Sequence, residues 1–235
     1  MVIFTVLAER KLKGSKQRRI GPNSIGYLGL MQTIADGIKL IFKETIIPIQ
    51  SNQILFILSP LYLFIICFLN YFILPLNSYT FIYELNDGII YTIMLSELAI
   101  LGTLYSGYSS NSKYSLIGSL RAILLMISYS IGLTLSILII LLYINDFNYS
   151  IILYSQQNSS LILTSLPLFI TIILSSVAEL GRCPFDLIEA ESELVAGQMT
   201  EYSAVIFAFF FLGEYSKKLF KGLLISCLLF GSLNP

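Results

Sequence analysis

The chain has 235 residues, with 14 basic and 14 acidic side chains, so its formal net charge is zero. Hydrophobic residues make up 56% of it and charged residues only 12%, whereas soluble domains carry roughly 25% charged residues. This composition indicates an integral membrane protein and gives no basic footprint for nucleic acid. Histidine is absent, which excludes histidine-based metal sites and histidine proton relays.

The N-terminal part of the chain predicts two unequal elements. Residues 1–8 are apolar, but they are too few to cross a hydrocarbon layer, which takes about 20 helical residues. We expect them to form the stub of a helix, followed by a basic stretch and a turn at Gly21-Pro22-Asn23. Residues 28–43 predict an amphipathic helix that lies flat in the membrane interface, because apolar residues recur there at spacings of three and four.

Apolar segments dominate the remainder of the chain. The predicted membrane spans are 54–75, 89–107, 119–144, 161–180 and 203–232. The expected fold class is therefore all-α, a polytopic transmembrane helix bundle with one interfacial amphipathic helix, in a single membrane domain over residues 1–235.

The loops between these spans differ in charge. Basic residues concentrate in loop 9–53, whereas loops 76–88 and 145–160 contain none. The positive-inside rule places loop 9–53 and the acidic loop 181–202 together on the cytoplasmic side of the membrane or its organellar equivalent. We expect a soluble partner to dock on that face.

An acidic stretch separates the last two predicted spans. Its carboxylates are those of Glu179, Asp186, Glu189, Glu191, Glu193 and Glu201. Clustered carboxylates beside a membrane are costly unless they pair, hydrate or share protons, which makes the stretch a candidate for proton handling. The charge run alone equally fits a solvated acidic loop, or one that neutralises basic residues of a partner subunit.

Two further carboxylates fall inside predicted spans. Glu97 lies midway along span 89–107, where a lone ionisable residue indicates a functional site. Glu214 lies inside the last span, and Lys218 follows it by four residues. Glu214 is therefore either a protonatable step in a buried chain or a structural partner of Lys218.

Several motifs in chain order resemble one family. They are Glu9-Arg10-Lys11, Arg19-Ile20-Gly21-Pro22-Asn23, Ala35-Asp36-Gly37, Ser110-Asn111-Ser112-Lys113-Tyr114, the stretch from Ala178 to Gly197, Glu201-Tyr202 and Glu214-Tyr215. Together they resemble subunit 1 of respiratory complex I, the proton-pumping NADH:ubiquinone oxidoreductase. Richness in Ile, Tyr, Phe, Asn and Ser, without tryptophan, suggests an AT-rich mitochondrial genome, and hence the mitochondrial inner membrane with the charged loops facing the matrix.

The resemblance implies a role and a set of site residues. A member of this family helps to enclose the ubiquinone chamber with peripheral-arm subunits, and couples quinone reduction to proton translocation in the membrane arm. The quinone-chamber residues that it implies are Arg10, Arg19, Asp36, Arg182 and Asp186. The proton-path residues are Glu179, Glu189, Glu191, Glu193, Glu201 and Glu214, to which we add Glu97. Ubiquinone is the implied substrate, and no flavin, iron–sulfur cluster or metal is expected in this chain. The implied partners are peripheral-arm and small membrane subunits, and lipids.

The sequence departs from the family pattern at three places. The first helix is short, and the chain stops at Pro235, where the family continues for roughly two more helices. We therefore expect a separate chain to carry those helices. Ser130, in span 119–144, stands where the family usually has a glutamate. We expect Glu97, in the preceding span, to substitute for the carboxylate that is missing at Ser130.

Three other functions compete with this one. The heel subunit of a related membrane-bound hydrogenase would share the acidic stretch. A stand-alone secondary transporter predicts internal repeats and broken helices at mid-membrane, and the sequence contains neither. A purely structural anchor leaves Glu97, Glu179 and Glu214 without a reason to lie in or beside the bilayer.

Overall fold

A computed structural model describes residues 2–75, 83–156, 161–182, 185 and 197–231. The helices are α1 (Val2–Lys16), α2 (Gln32–Phe42), α3 (Gln53–Leu69), α4 (Gly88–Ser109), α5 (Lys113–Ile144), α6 (Tyr149–Ser155), α7 (Leu161–Thr164), α8 (Leu166–Glu179) and α9 (Ala204–Ile225). Short 3₁₀ turns lie at Tyr27–Gly29, Asn70–Phe72 and Gly197–Met199, and a π-helical turn extends α9 over Ser226–Phe230. No strand occurs in these ranges, which confirms the predicted all-α helix bundle.

The helices of the bundle pack in a connected order. Helix α3 lies between α4 and α9, while α5 packs against α4 on one side and α8 on the other. Lipid offers apolar side chains almost the same environment as a protein core, so close backbone approach matters more than burial of apolar area. Gly107 permits such an approach of α4 to α5, because a Cβ there would lie 2.0 Å from Ser119 Oγ. Gly213 does the same between α9 and Leu63 of α3.

Three helical segments are long and apolar enough to cross a membrane, by length and composition. They are Gln53–Phe72, Gly88–Ser109 and Lys113–Ile144. Helix α8 has only 14 residues, and α9 carries Glu214 together with three lysines. The predicted spans 161–180 and 203–232 are helical over most of their described length. Because α8 is short and α9 is charged, their crossing of the membrane stays a prediction.

The two N-terminal helices differ in character, because α1 is apolar in its first half and charged in its second, whereas α2 is amphipathic along its length. Helix α1 runs eight residues beyond the predicted stub, because residues 9–16 are mostly good helix formers and Glu9 pairs with Lys13 one turn later. The described residues leave the apolar side of helix α2 uncovered, with Ile38 and Ile41 exposed. That exposure is expected for a helix whose apolar face lies in the lipid interface.

Candidate functional site

A group of charged side chains joins α1 to α9 and to the segment that follows α8; we call it the outer cluster. It consists of Glu9, Lys13, Arg182, Tyr215 and Lys218. The Glu9 carboxylate accepts from Lys13 Nζ at 2.7 Å, from Lys218 Nζ at 3.2 Å and from Arg182 at 3.4 Å. Residues from three distant parts of the sequence therefore share one carboxylate.

An aromatic ring completes the outer cluster. Lys218 Nζ lies 3.6 Å from the centroid of the Tyr215 ring, and the Arg182 guanidinium lies 5.5 Å from it. Both cations are thus attracted to the ring face as well as to Glu9. Partial burial by itself would raise the pKa of Glu9, but hydrogen bonds from Lys13 and Tyr215 and the charge of Arg182 outweigh it and lower that pKa. Glu9 therefore stays ionised near neutral pH.

A second ion pair ties α1 to the interfacial helix. Arg10 donates to Asp36 Oδ2 at 2.6 Å, and Gln32 donates to the other carboxylate oxygen at 2.9 Å. Two predicted chamber residues, Arg10 and Asp36, therefore contact each other, and Arg182 joins the same helix through Glu9. Arg19 instead bonds its neighbour Gln17 and is exposed beyond the end of α1.

A buried ion pair lies deeper in the bundle; we call it the inner pair. Glu179 at the end of α8 accepts from Lys221 Nζ of α9 at 2.8 Å, and the two side chains are only 13% and 6% exposed. The pair borders a small enclosed cavity of about 20 Å³. The cavity is lined by Cys67, Asn70, Ser96, Ala99, Ile100, Met126, Glu179, Leu180, Lys217, Phe220 and Lys221.

The hydroxyl of Tyr202 connects the start of α9 to α3 and α4. It donates to the Ser106 carbonyl at 3.1 Å and shares hydrogen bonds with the hydroxyls of Ser59 at 3.2 Å and Ser109 at 3.0 Å. Its ring stacks on Phe56 at a centroid distance of 4.2 Å. Burial raises the pKa of Tyr202 although those two serine hydroxyls oppose the shift, so the phenol remains a neutral donor. This network fixes the residue next to Glu201.

The predicted proton-path residues are only partly brought together. Glu179 has a buried partner, while Glu201 is exposed just before α9 and Glu214 is half-buried within it. Lys218, the alternative partner expected for Glu214, pairs with Glu9. Asp186, Glu189, Glu191 and Glu193 lie outside the described residues.

The predicted role of Glu97 depends on its surroundings and on those of Ser130. Ser130 is buried and donates to the Ile127 carbonyl of its own helix. Three α4 residues near Glu97 line the cavity beside Glu179, namely Ser96, Ala99 and Ile100. Glu97 is half-buried, and it shares a helix face with the exposed side chains of Met94 and Leu101 and with the buried side chain of Ile100. The substitution of Glu97 for the carboxylate missing at Ser130 stays a prediction.

Sequence reasoning missed two of the charged residues that carry these sites. Glu9 was singled out only as part of a motif, and Lys221 was given no predicted role. A usable signal is present, because Lys217 and Lys221 are four residues apart inside an apolar helix and must share one side of it. Intramembrane lysines need partners as much as carboxylates do.

Comparison with known proteins places the whole chain in one group. The family model described as NADH dehydrogenase matches residues 1–235. The chain is 42% identical over 234 residues to NADH-ubiquinone oxidoreductase chain 1 of Hyaloraphidium curvatum, covering 100% of this chain and 79% of that protein. It is 44% identical over 230 residues to the protein of the same name from Neurospora crassa, covering 98% of this chain and 62% of the relative.

A bacterial relative extends the similarity beyond mitochondria. The chain is 40% identical over 230 residues to a component of the NADH-quinone oxidoreductase of Paramagnetospirillum magneticum, covering 98% of this chain and 67% of that protein. The chain thus spans between 62% and 79% of the lengths of these three relatives.

Proposed function

This chain belongs to the NADH dehydrogenase family, and from that premise we propose that it is the membrane component that helps to enclose the quinone chamber of a proton-translocating NADH:quinone oxidoreductase. Ubiquinone is then the substrate at the chamber, and other subunits of the complex are the partners. The similarity to mitochondrial relatives and the apolar helices favour a multi-pass position in the mitochondrial inner membrane, with the charged loops on the matrix side.

One structural observation supports this proposal above the others. Three predicted chamber residues from separate segments meet at the charged second half of α1. Arg10 lies in that half, Asp36 pairs with Arg10, and Arg182 pairs with the neighbouring Glu9. Arg182 opens the acidic stretch, so its contact with Glu9 ties that stretch to α1. An amphipathic quinone needs an apolar channel that ends at polar groups, and the apolar first half of α1 followed by this charged half fits that requirement.

The chain's own residues supply charge and orientation to such a chamber. Arg182 is held by one carboxylate and one aromatic ring, so its guanidinium is positioned before any quinone arrives. Reduction of a quinone consumes protons and changes the local charge. Glu179 lies only three residues before Arg182 and is paired to Lys221 inside the bundle. A change of charge at the chamber could therefore reach the membrane interior over a short length of chain.

The test compares quinone reduction with NADH oxidation in the complex assembled with a variant chain. Arg182→Gln should lower the NADH:quinone reductase rate about tenfold, because removal of one positioned charge costs on the order of 1.4 kcal/mol or more. NADH oxidation by an artificial hydrophilic acceptor should not change. The matched control is Lys113→Gln, which removes an exposed cation from the first turn of α5. Unaltered quinone reduction in an assembled Arg182→Gln complex would contradict the proposal.

A further inference from the structure

Helix α9 directs its three lysines to two different places. Lys218 reaches Glu9 in the outer cluster, whereas Lys217 and Lys221, one turn apart, both line the cavity beside Glu179. Lys221 pairs with Glu179, and Lys217 makes no ion pair with any residue that the structure describes. Two ammonium groups therefore share one enclosed space with one carboxylate.

The cavity also contains an acceptor that the protein leaves without a donor. Asn70 is 4% exposed, and its Oδ1 has no hydrogen-bond partner among the described residues. A buried amide oxygen in this position costs free energy unless a donor reaches it. Lysine ammonium groups carry three donors each, and a cavity of about 20 Å³ holds at least one water molecule. Donors and acceptors around the cavity therefore suit bound water.

Four charged or titratable groups line this cavity, and Glu214 of α9 acts electrostatically on one of them, Cys67, without lining the cavity itself. Helix α3 contributes Cys67, α8 contributes Glu179, and α9 contributes Lys217 and Lys221, while α4 and α5 present only Ser96, Ala99, Ile100 and Met126. Glu179 is the one carboxylate among the described lining residues. Protonation of Glu179 raises the net charge of the site by one.

We propose that Glu179, Lys221 and Lys217 form a hydrated proton-exchange site, in which Lys221 controls whether the Glu179 carboxylate accepts a proton. The inference rests on the proposed function only in that the protons are those of a proton-translocating complex. It assigns to two lysines a role that the sequence motifs do not indicate.

The proton step balances within the site. A hydrated proton in the cavity water passes to Oε2 of Glu179, so that an O–H bond forms on the carboxyl group and one breaks on the water. The Lys221 ammonium keeps its own proton and loses its anionic partner, and its N–H groups turn to water or to Asn70 Oδ1. Because uptake raises the positive charge of the site, it requires negative charge to arrive nearby, and departure of that charge reverses the step.

The experiment uses the complex assembled with variant chains and reconstituted in vesicles. Lys221→Gln removes the counter-charge, Lys221→Arg preserves it, and Lys113→Gln is the control for an exposed lysine. The measurements are protons translocated per NADH oxidised, and the pH dependence of the coupled rate. We expect translocation to fall roughly tenfold in Lys221→Gln, with recovery of most of the loss in Lys221→Arg. The pH profile of Lys221→Gln should move to the alkaline side, because the carboxylate loses the positive charge that opposes its protonation.

A second variant keeps the proposal testable if Lys221→Gln does not assemble. The double variant Glu179→Gln, Lys221→Gln removes both charges and leaves no unpaired buried ion, so it should assemble and reduce quinone with little proton translocation. Wild-type translocation in the double variant, or an unshifted pH profile in an assembled Lys221→Gln complex, would overturn the proposal. Failure of the proposed function has a different signature, namely normal quinone reduction in Arg182→Gln while the Lys221→Gln shift persists.

Discussion

The outer cluster and the inner pair are built from the same residue types on the same helix, yet they lie in different surroundings. Side chains of the outer cluster's ion pairs are between 19% and 61% exposed, and those of the inner pair 13% and 6%. Exposed ion pairs are screened by water and salt and contribute little, whereas a buried pair interacts strongly but is costly to desolvate. A shift of three residues along α9, from Lys218 to Lys221, separates these two regimes.

The largest expected effect is loss of one member of the inner pair. Lys221→Leu leaves the Glu179 carboxylate buried without a partner, and should reduce stability by about 3–5 kcal/mol. The matched change in the outer cluster, Lys13→Ala, should cost no more than about 1 kcal/mol. Thermal inactivation of the assembled complex measures both. The double variant Lys221→Leu, Glu179→Leu should recover most of the loss, and equal effects of the two single lysine variants would remove the distinction between the sites.

Disruption of a buried neutral network is expected to cost an amount of stability between the costs at the two charged sites. Tyr202→Phe removes a hydroxyl that contacts Ser59, Ser106 and Ser109, and should cost about 1–3 kcal/mol, because buried polar atoms are left unpaired but no charge is stranded. Tyr27→Phe, at an exposed ring, is the control. Thermal inactivation again provides the measurement. A cost as large as that of Lys221→Leu would show that burial, and not charge, sets the magnitude.

The smallest expected effect is the pH response of the outer cluster. The folded pKa of Glu9 lies below its ordinary value of 4.5, so its contacts stabilise the fold fully above that value and weaken as the pH falls through the lowered pKa. The stability difference between wild type and Glu9→Gln should therefore be constant from neutral pH to about pH 6, and should shrink below pH 4.5. Stability curves recorded over this range test the sign, and a difference that grows on acidification would contradict it.

Much of the secondary structure could be predicted from local pattern. Apolar runs predict helices α3, α4 and α5 almost at their observed positions, because a backbone in lipid must satisfy its hydrogen bonds within the segment. The same reasoning misses the continuation of α1 to Lys16, since a charged stretch after an apolar one is typical of a loop. The short-range pair between Glu9 and Lys13 shows that the same charges support a helix.

The candidate site was harder to predict, because its contacts join residues that are distant along the chain. Motif resemblance indicated Arg10, Asp36 and Arg182 as members of one chamber, but gave no partner for any of them. The Glu9 carboxylate that holds Arg182 is 173 residues away in sequence. Such a pairing depends on where the segment after α8 lies relative to α1, and local periodicity carries no information about it.

By itself, the sequence determined that this protein is a bundle of membrane helices with a charged face and that it resembles one respiratory family, because hydropathy and short motifs are local properties. Only the tertiary structure decided which carboxylates Lys218 and Lys221 of α9 meet. Successive helical residues point about 100° apart, so Lys217 and Lys221 lie about 40° apart around the helix, whereas Lys218 is rotated by about 100° from Lys217 and about 60° from Lys221. What lies in each direction, α1 with Glu9 or α8 with Glu179, was set by the packing of helices around α9.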